Sequence, residues 1–180
     1  EEHAELRRIL REVEEKYGNL DDHCIDEIFP SNCVPILSAN GNDIDVLLAA
    51  WGLPRWDGKG LIINAKSETA AEKQLFAESL RFRRCVVPSS GFYEWKERKG
   101  SKKKDKYHFT LPQKDILYMA GVYNLYDEEP KFTILTTAAN QSMIEVHHRM
   151  PLILDQQEIE DWLFNEDRAM MLLRATPPLL

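Results

Sequence analysis

The sequence predicts a single α+β domain spanning residues 1–180, a largely antiparallel, twisted and barrel-like sheet with flanking helices. Three observations carry this reading. The second half is a succession of β-branched and aromatic runs, RCVVP, GFYEWK, KYHFTL, LYMAGVYNLY and KFTILTTA, separated by turn residues, which is the pattern of an antiparallel sheet. Helical periodicity is confined to the front, to one central stretch and to the region after Asp155. With 180 residues, 43% of them hydrophobic, and no linker or internal repeat, the chain can bury one sizeable core.

Each element follows in order. AELRRILREVEEKYG repeats Leu6, Ile9, Leu10, Val13 and Tyr17 at spacings of three and four, with Gly18 as a stop, and is an amphipathic helix. Residues 19–42 are turn-rich, with Pro30 and Pro35 bracketing SNCV, and read as irregular backbone with short extended pieces. DVLLAAWGLP suits a helix or a buried strand, and Gly52 and Pro54 at its end favour the strand. LIINA is a short strand, and SETAAEKQLFAESL is a helix starting at Ser67. Between two strand-like runs, KERKGSKKKDK carries seven of the 23 Lys and Arg residues around Gly100 and Ser101, and is a solvated hairpin tip. MPLIL adds a strand, and DQQEIEDWLF opens a helix with Asp155 and Glu158 at capping-box spacing.

Composition narrows the function. No apolar run approaches the roughly 18 residues of a membrane span, and EEHAELRRIL lacks a signal peptide's apolar region. Cys24, Cys33 and Cys85 are odd in number and show no CxxC spacing, which argues against a disulfide framework and a zinc site and for a reducing, cytoplasmic setting. The net charge of −7 argues against a wholesale electrostatic grip on nucleic acid, so any such binding is local and salt-sensitive.

Several residues could carry chemistry. Strand alternation puts Phe92, Glu94 and Lys96 on one face of GFYEWK and Tyr93 and Trp95 on the other, and periodicity leaves open which face is the core. His147 and His148, with Arg149 next, suit a proton shuttle beside a phosphate-holding arginine, or an ordinary loop. Asn64 beside Lys66 suits an amide that orients a polar substrate, or a turn.

INAKSETA, RCVVPSSGFYEW, AGVYN, FTILTTAAN and HHRMPLIL, in that order and spacing, resemble the SRAP family (SOS response-associated peptidase) from residue 28 to residue 165. The resemblance implies a protein that recognises abasic sites in single-stranded DNA and becomes covalently joined to them. A monomer without cofactor or metal is expected. The family's nucleophile is a cysteine exposed at the N-terminus once the initiator methionine is removed, the autopeptidase step of the family's name. Its α-amine attacks the opened sugar's aldehyde and its thiol then closes a thiazolidine ring. At pH 7 an α-amine is neutral in about one molecule in seven and a lysine in about one in 2,500, which favours the terminal amine. By the same resemblance, Glu94 is the active-site glutamate that passes protons, Asn64 hydrogen-bonds near the adduct and His147 assists proton transfer. Trp56 stacks or wedges at the DNA, Lys66 and Arg149 face phosphates, and Pro30 and Pro35 line the DNA groove.

Two departures accompany the resemblance. Lys66 replaces the usual arginine of the INAR motif, keeping the charge but losing the bidentate fork. The family's opening Met-Cys-Gly-Arg is absent from residues 1–180, which leaves either a sequence trimmed at its front or a protein without the covalent chemistry; Glu1 in place of Met favours trimming. Two other readings are a single-stranded DNA-binding module without chemistry and a hydrolase using Glu94 and His147 on a small substrate.

Overall fold

Strands that are apolar on both faces must be covered on both, and a barrel wrapped by helices does this. The computed structural model describes residues 4–18, 27–98 and 100–180. Its elements run α1 (Ala4–Tyr17), β1 (Cys33–Asn40), β2 (Asp43–Trp51), β3 (Leu53–Pro54), β4 (Leu61–Ile62), β5 (Asn64–Lys66), α2 (Ser67–Ala70) and α3 (Gln74–Phe82). They continue through β6 (Arg84–Ser89), β7 (Phe92–Glu97), β8 (Lys104–Phe109), β9 (Leu117–Tyr126) and β10 (Glu129–Ala138) to β11 (Arg149–Pro151), β12 (Ile153–Leu154), α4 (Ile159–Phe164) and α5 (Glu166–Leu172).

Strands β1, β2, β10, β9 and β6 pair in a closed ring, giving the α+β, barrel-like sheet expected. The β10–β2 pairing is parallel and the other four are antiparallel. Along β9 and β6 the side chains alternate: Leu117, Met119, Cys85 and Val87 fill the interior, while Tyr118, Ala120 and Val86 face outward. The outer face is covered by α1, α3, α4 and α5 through Val13, Leu80, Trp162 and Leu172. Gly121 is required inside the barrel, since a Cβ there would come within 2.9 Å of the Thr133 carbonyl oxygen. Beside it the Cys85 thiol is wholly buried, which pushes its pKa far above the usual range and leaves it chemically inert. Cys24 lies outside the described residues. Among the described residues, no helix is long and apolar enough to cross a membrane.

Four expectations need correction. Residues 33–40 form a full strand, β1, rather than irregular backbone. Pro35 is tolerated because β6 pairs only with Leu37 and Ser38, leaving β1 paired on one side at the proline. LIINA breaks at Ile63, where the chain leaves β3 to pair with β10, and the Ile63 carbonyl accepts from both Trp51 Nε1 (3.0 Å) and Ile134 N–H (3.1 Å). The helix begun at Ser67 is two helices, since Lys73 is extended (φ −90°, ψ 121°), and the cap position is Lys66 rather than Ser67, which is buried. MPLIL divides at Leu152, whose N–H bonds to Leu135 and whose carbonyl accepts from Ala120, both at 2.8 Å, so that β11 serves β10 and β12 serves β9. The capping box at Asp155 and Glu158 forms as expected, on a 3-10 turn ahead of α4. The last helix, α5, had no counterpart in the sequence reading.

Candidate functional site

The C-terminal end of β10 gathers the residues singled out from the sequence. Beyond Ile134 the β9 pairing stops, and β10 is flanked instead by β5 on one side and β11 on the other, with Thr136 opposite both Lys66 and Pro151. This brings Asn64 and Lys66 to one side of β10 and Arg149 to the other. In β5 only Ala65 is buried, so Asn64 and Lys66 point together into solvent.

Glu94 comes from β7, which forms with β8 a separate two-stranded sheet. Its face is the sheltered one: Phe92, Glu94 and Lys96 are half-buried, and Phe92 stacks on Phe109 with ring centroids 5.4 Å apart. Glu94 Oε1 accepts from the Trp95 N–H at 3.1 Å, and Oε2 lies 3.9 Å from His147 Nδ1. That distance exceeds a hydrogen bond yet keeps carboxylate and imidazole adjacent. His147 Nδ1 in turn accepts from the Arg149 N–H at 3.1 Å and lies 3.0 Å from the Arg149 carbonyl oxygen, while the His148 ring sits 4.5 Å away, centroid to centroid. The other face of β7 is exposed. There Tyr93 stacks on His108 at 4.7 Å, with Lys106 Nζ 3.8 Å from the Tyr93 ring centre and 5.8 Å from that of Trp95. Aromatic faces interleaved with a cation make a surface on which bases can stack.

Arg149 does not present an idle fork. It donates to both oxygens of Glu68, at 2.6 and 2.8 Å, and to the Thr136 carbonyl at 2.6 Å. The guanidinium holds the Glu68 carboxyl below the usual carboxylate range, with Lys66 adding to the effect. On the β5 side an open cleft of about 730 Å³ is lined by Asn64, Lys66, Thr69, Glu72, Lys73 and Phe76, among others. Glu94 and His147 are not among its lining residues, so this cleft does not enclose the acid–imidazole pair.

Trp56 stands on the loop between β3 and β4, 96% exposed, with Arg55 and Asp57 paired beside it. Pro30 is exposed in the turn before β1. Pro35, expected to line a groove with it, is instead buried on the same face of β1 as Leu37, toward the helices, because strand alternation turns it away from the surface. The basic tip between β7 and β8 is a hairpin as expected. Part of its charge is offset locally, by Arg98 with Asp105 and by Lys104 with Glu97 at 3.2 Å. Sequence reasoning missed Glu68, Lys73 and the exposed Tyr93, Trp95 and Lys106 surface. Alternation already placed Tyr93 and Trp95 together, but only the cross-strand register brings Lys106 opposite Trp95.

A carboxylate and an imidazole thus converge near the end of β10, beside an exposed amide and several cations. The sequence matches the SOS response associated peptidase (SRAP) family over residues 2–178, and the chain belongs to that family. It is 34% identical over 146 residues to the abasic site processing protein YoqW of Bacillus subtilis, covering 76% of this chain and 65% of the relative. With the abasic site processing protein YedK of Escherichia coli it shares 30% identity over 144 residues, 77% of this chain and 64% of the relative. The chain therefore spans 65 and 64% of the length of these two curated relatives. A crystal structure of a protein from Bacteroides thetaiotaomicron superposes with a TM-score of 0.68 at 30% identity, covering 79% of this chain and 68% of that one.

Proposed function

We propose that this protein binds abasic sites in single-stranded DNA and captures them covalently. The observation that carries the proposal is the Glu94–His147 pair, brought to 3.9 Å from two separate elements at the end of β10 where Asn64 and Lys66 also lie. Family membership and relatives named as abasic site processing proteins support it.

The chemistry assigns a role to each group. An α-amine adds to the aldehyde of the opened sugar, a proton moves onto the departing hydroxyl, water leaves and an imine remains. A thiolate then adds to the imine carbon and the nitrogen takes up a proton, closing the thiazolidine. Glu94 supplies and recovers protons at the hydroxyl and nitrogen, His147 relays them, and Asn64 hydrogen-bonds the sugar oxygens. Trp56 and the Tyr93–Trp95 surface stack bases, while Lys66 and Lys73 meet phosphates. Cys33 lies within β1 and Cys85 is buried, and neither carries a free α-amine, so neither supplies the nucleophile of the covalent step.

The test uses protein expressed from its natural start codon, mixed with single-stranded DNA holding one abasic site and resolved on a denaturing gel with intact-mass measurement. A heat-stable adduct that disappears when the N-terminal cysteine is replaced is the expected result. Binding without any adduct would reduce the protein to a non-covalent reader of single-stranded DNA, and no binding would remove the proposal altogether.

A further inference from the structure

Arg149 reaches the proton-transfer pair through its backbone. Its N–H donates to His147 Nδ1 at 3.1 Å, and its carbonyl oxygen lies 3.0 Å from the same nitrogen. The imidazole therefore has a donor to accept from when Nδ1 is bare and an acceptor to bond when Nδ1 is protonated. A ring with a partner in both states gains and loses a proton without turning.

That benefit lasts only while the Arg149 peptide stays fixed. Strand pairing holds it weakly, because β11 has three residues and the pair of Arg149 with Ala138 is the last of its ladder. The side chain adds the constraint. Both oxygens of Glu68 take the guanidinium fork, at 2.6 and 2.8 Å, and the Thr136 carbonyl takes a third bond at 2.6 Å, which fixes the plane as well as the position of the group. Glu68 can act as an anchor because its neighbours on α2, Ser67 and Ala70, are buried.

We infer that Glu68 is a positioning residue for His147: by clamping Arg149 it holds the backbone donor and acceptor that keep the imidazole aligned toward Glu94. The inference rests on the proton-transfer role proposed for His147 and extends the site to a carboxylate on a different element.

The experiment follows the His147 ring nitrogens by NMR in the free protein and, separately, the rate of imine formation with abasic single-stranded DNA. In the unsubstituted protein, His147 Nδ1 should show the shift of a hydrogen-bonded ring nitrogen. Glu68→Ala should move that signal toward the value of a free imidazole and slow imine formation by up to about 100-fold, the penalty of a misplaced catalytic group, with the thermal midpoint little changed. Glu68→Gln, which keeps one acceptor for the fork, should lie between the two and serves as the reading if the alanine variant does not fold. An unchanged Nδ1 signal and rate in both variants would overturn the inference, as would a rate that falls only with the folded fraction. The nitrogen spectra need no DNA, so a protein that forms no imine at all, yet shows the Nδ1 change, would overturn the proposed function while leaving the clamp established.

Discussion

Arg84 and Arg149 are two arginines largely withdrawn from water, and their main partners differ in kind. Arg84, between the barrel and its helices, bonds only to carbonyl oxygens, those of Leu80 (2.6 Å), Arg81 (2.9 Å), Leu163 (3.1 Å) and Trp162. It caps the ends of α3 and α4, where backbone carbonyls lack helical partners, and desolvation there lowers its pKa. Arg149, at the end of β10, bonds to a carboxylate whose side chain is 45% exposed, while its own is 17% exposed. A helix-end carbonyl cannot be exchanged for a ligand, whereas a carboxylate at the surface can yield to another anion. The two arginines therefore differ most in whether their partners can be exchanged.

The sharpest way to break that comparison is Arg84→Ala. Four backbone carbonyls, three of them in buried bonds, would lose this donor, and stability to urea should fall by about 3 kcal/mol or more while the folded fraction keeps its DNA affinity. Glu94→Gln should do the reverse. Adduct formation should slow by about 100-fold, equivalent to about 2.7 kcal/mol of barrier, with stability and DNA affinity near those of the unsubstituted protein. Trp56→Ala should weaken binding to single-stranded DNA by about 1–3 kcal/mol in a fluorescence titration and leave the thermal midpoint unmoved. Lys73→Ala tests the cleft beside β5: if Lys73 meets one phosphate, the slope of log affinity against log salt should fall by about 0.7.

The smallest effect concerns pH. Arg149 lowers the folded-state pKa of Glu68 below its unfolded value, so the contribution to stability is present above the ordinary carboxylate range and is lost as pH falls through the lowered value. Because Glu68 is well exposed, the change is small. Acid titrations of stability should show a shallower fall for Glu68→Gln, and superimposable curves would mean that the pair contributes nothing to folding.

How much of this was legible in the sequence varied with the physics of each element. Strands whose own backbone runs through without a break, such as β9 and β10, showed as unbroken β-branched and aromatic runs. Elements that change partner, at Ile63 and Leu152, read as continuous because the break is dictated by a distant strand and not by local composition. Prolines 30 and 35 hid β1, since local reading weighs a missing N–H without knowing that the sheet leaves Pro35 without a neighbour on one side. At the site, alternation grouped Glu94 with Phe92 but could not say which face was sheltered; stacking on Phe109 decides it. The approach of His147 to Glu94 was implied by family resemblance alone, as no spacing encodes it.

The closure of the barrel also dictates when the chain can fold. The ring closes through the short parallel pairing of Lys131 with Ala50 and Phe132 with Trp51. Until β10 has left the ribosome, the β1–β2 hairpin must carry Val34, Ile36 and Ala49 without Phe132 and Ile134 to cover them. Such non-local closure is slow, and the nascent chain spends that interval with an open, apolar sheet, the state in which a chaperone has most to protect.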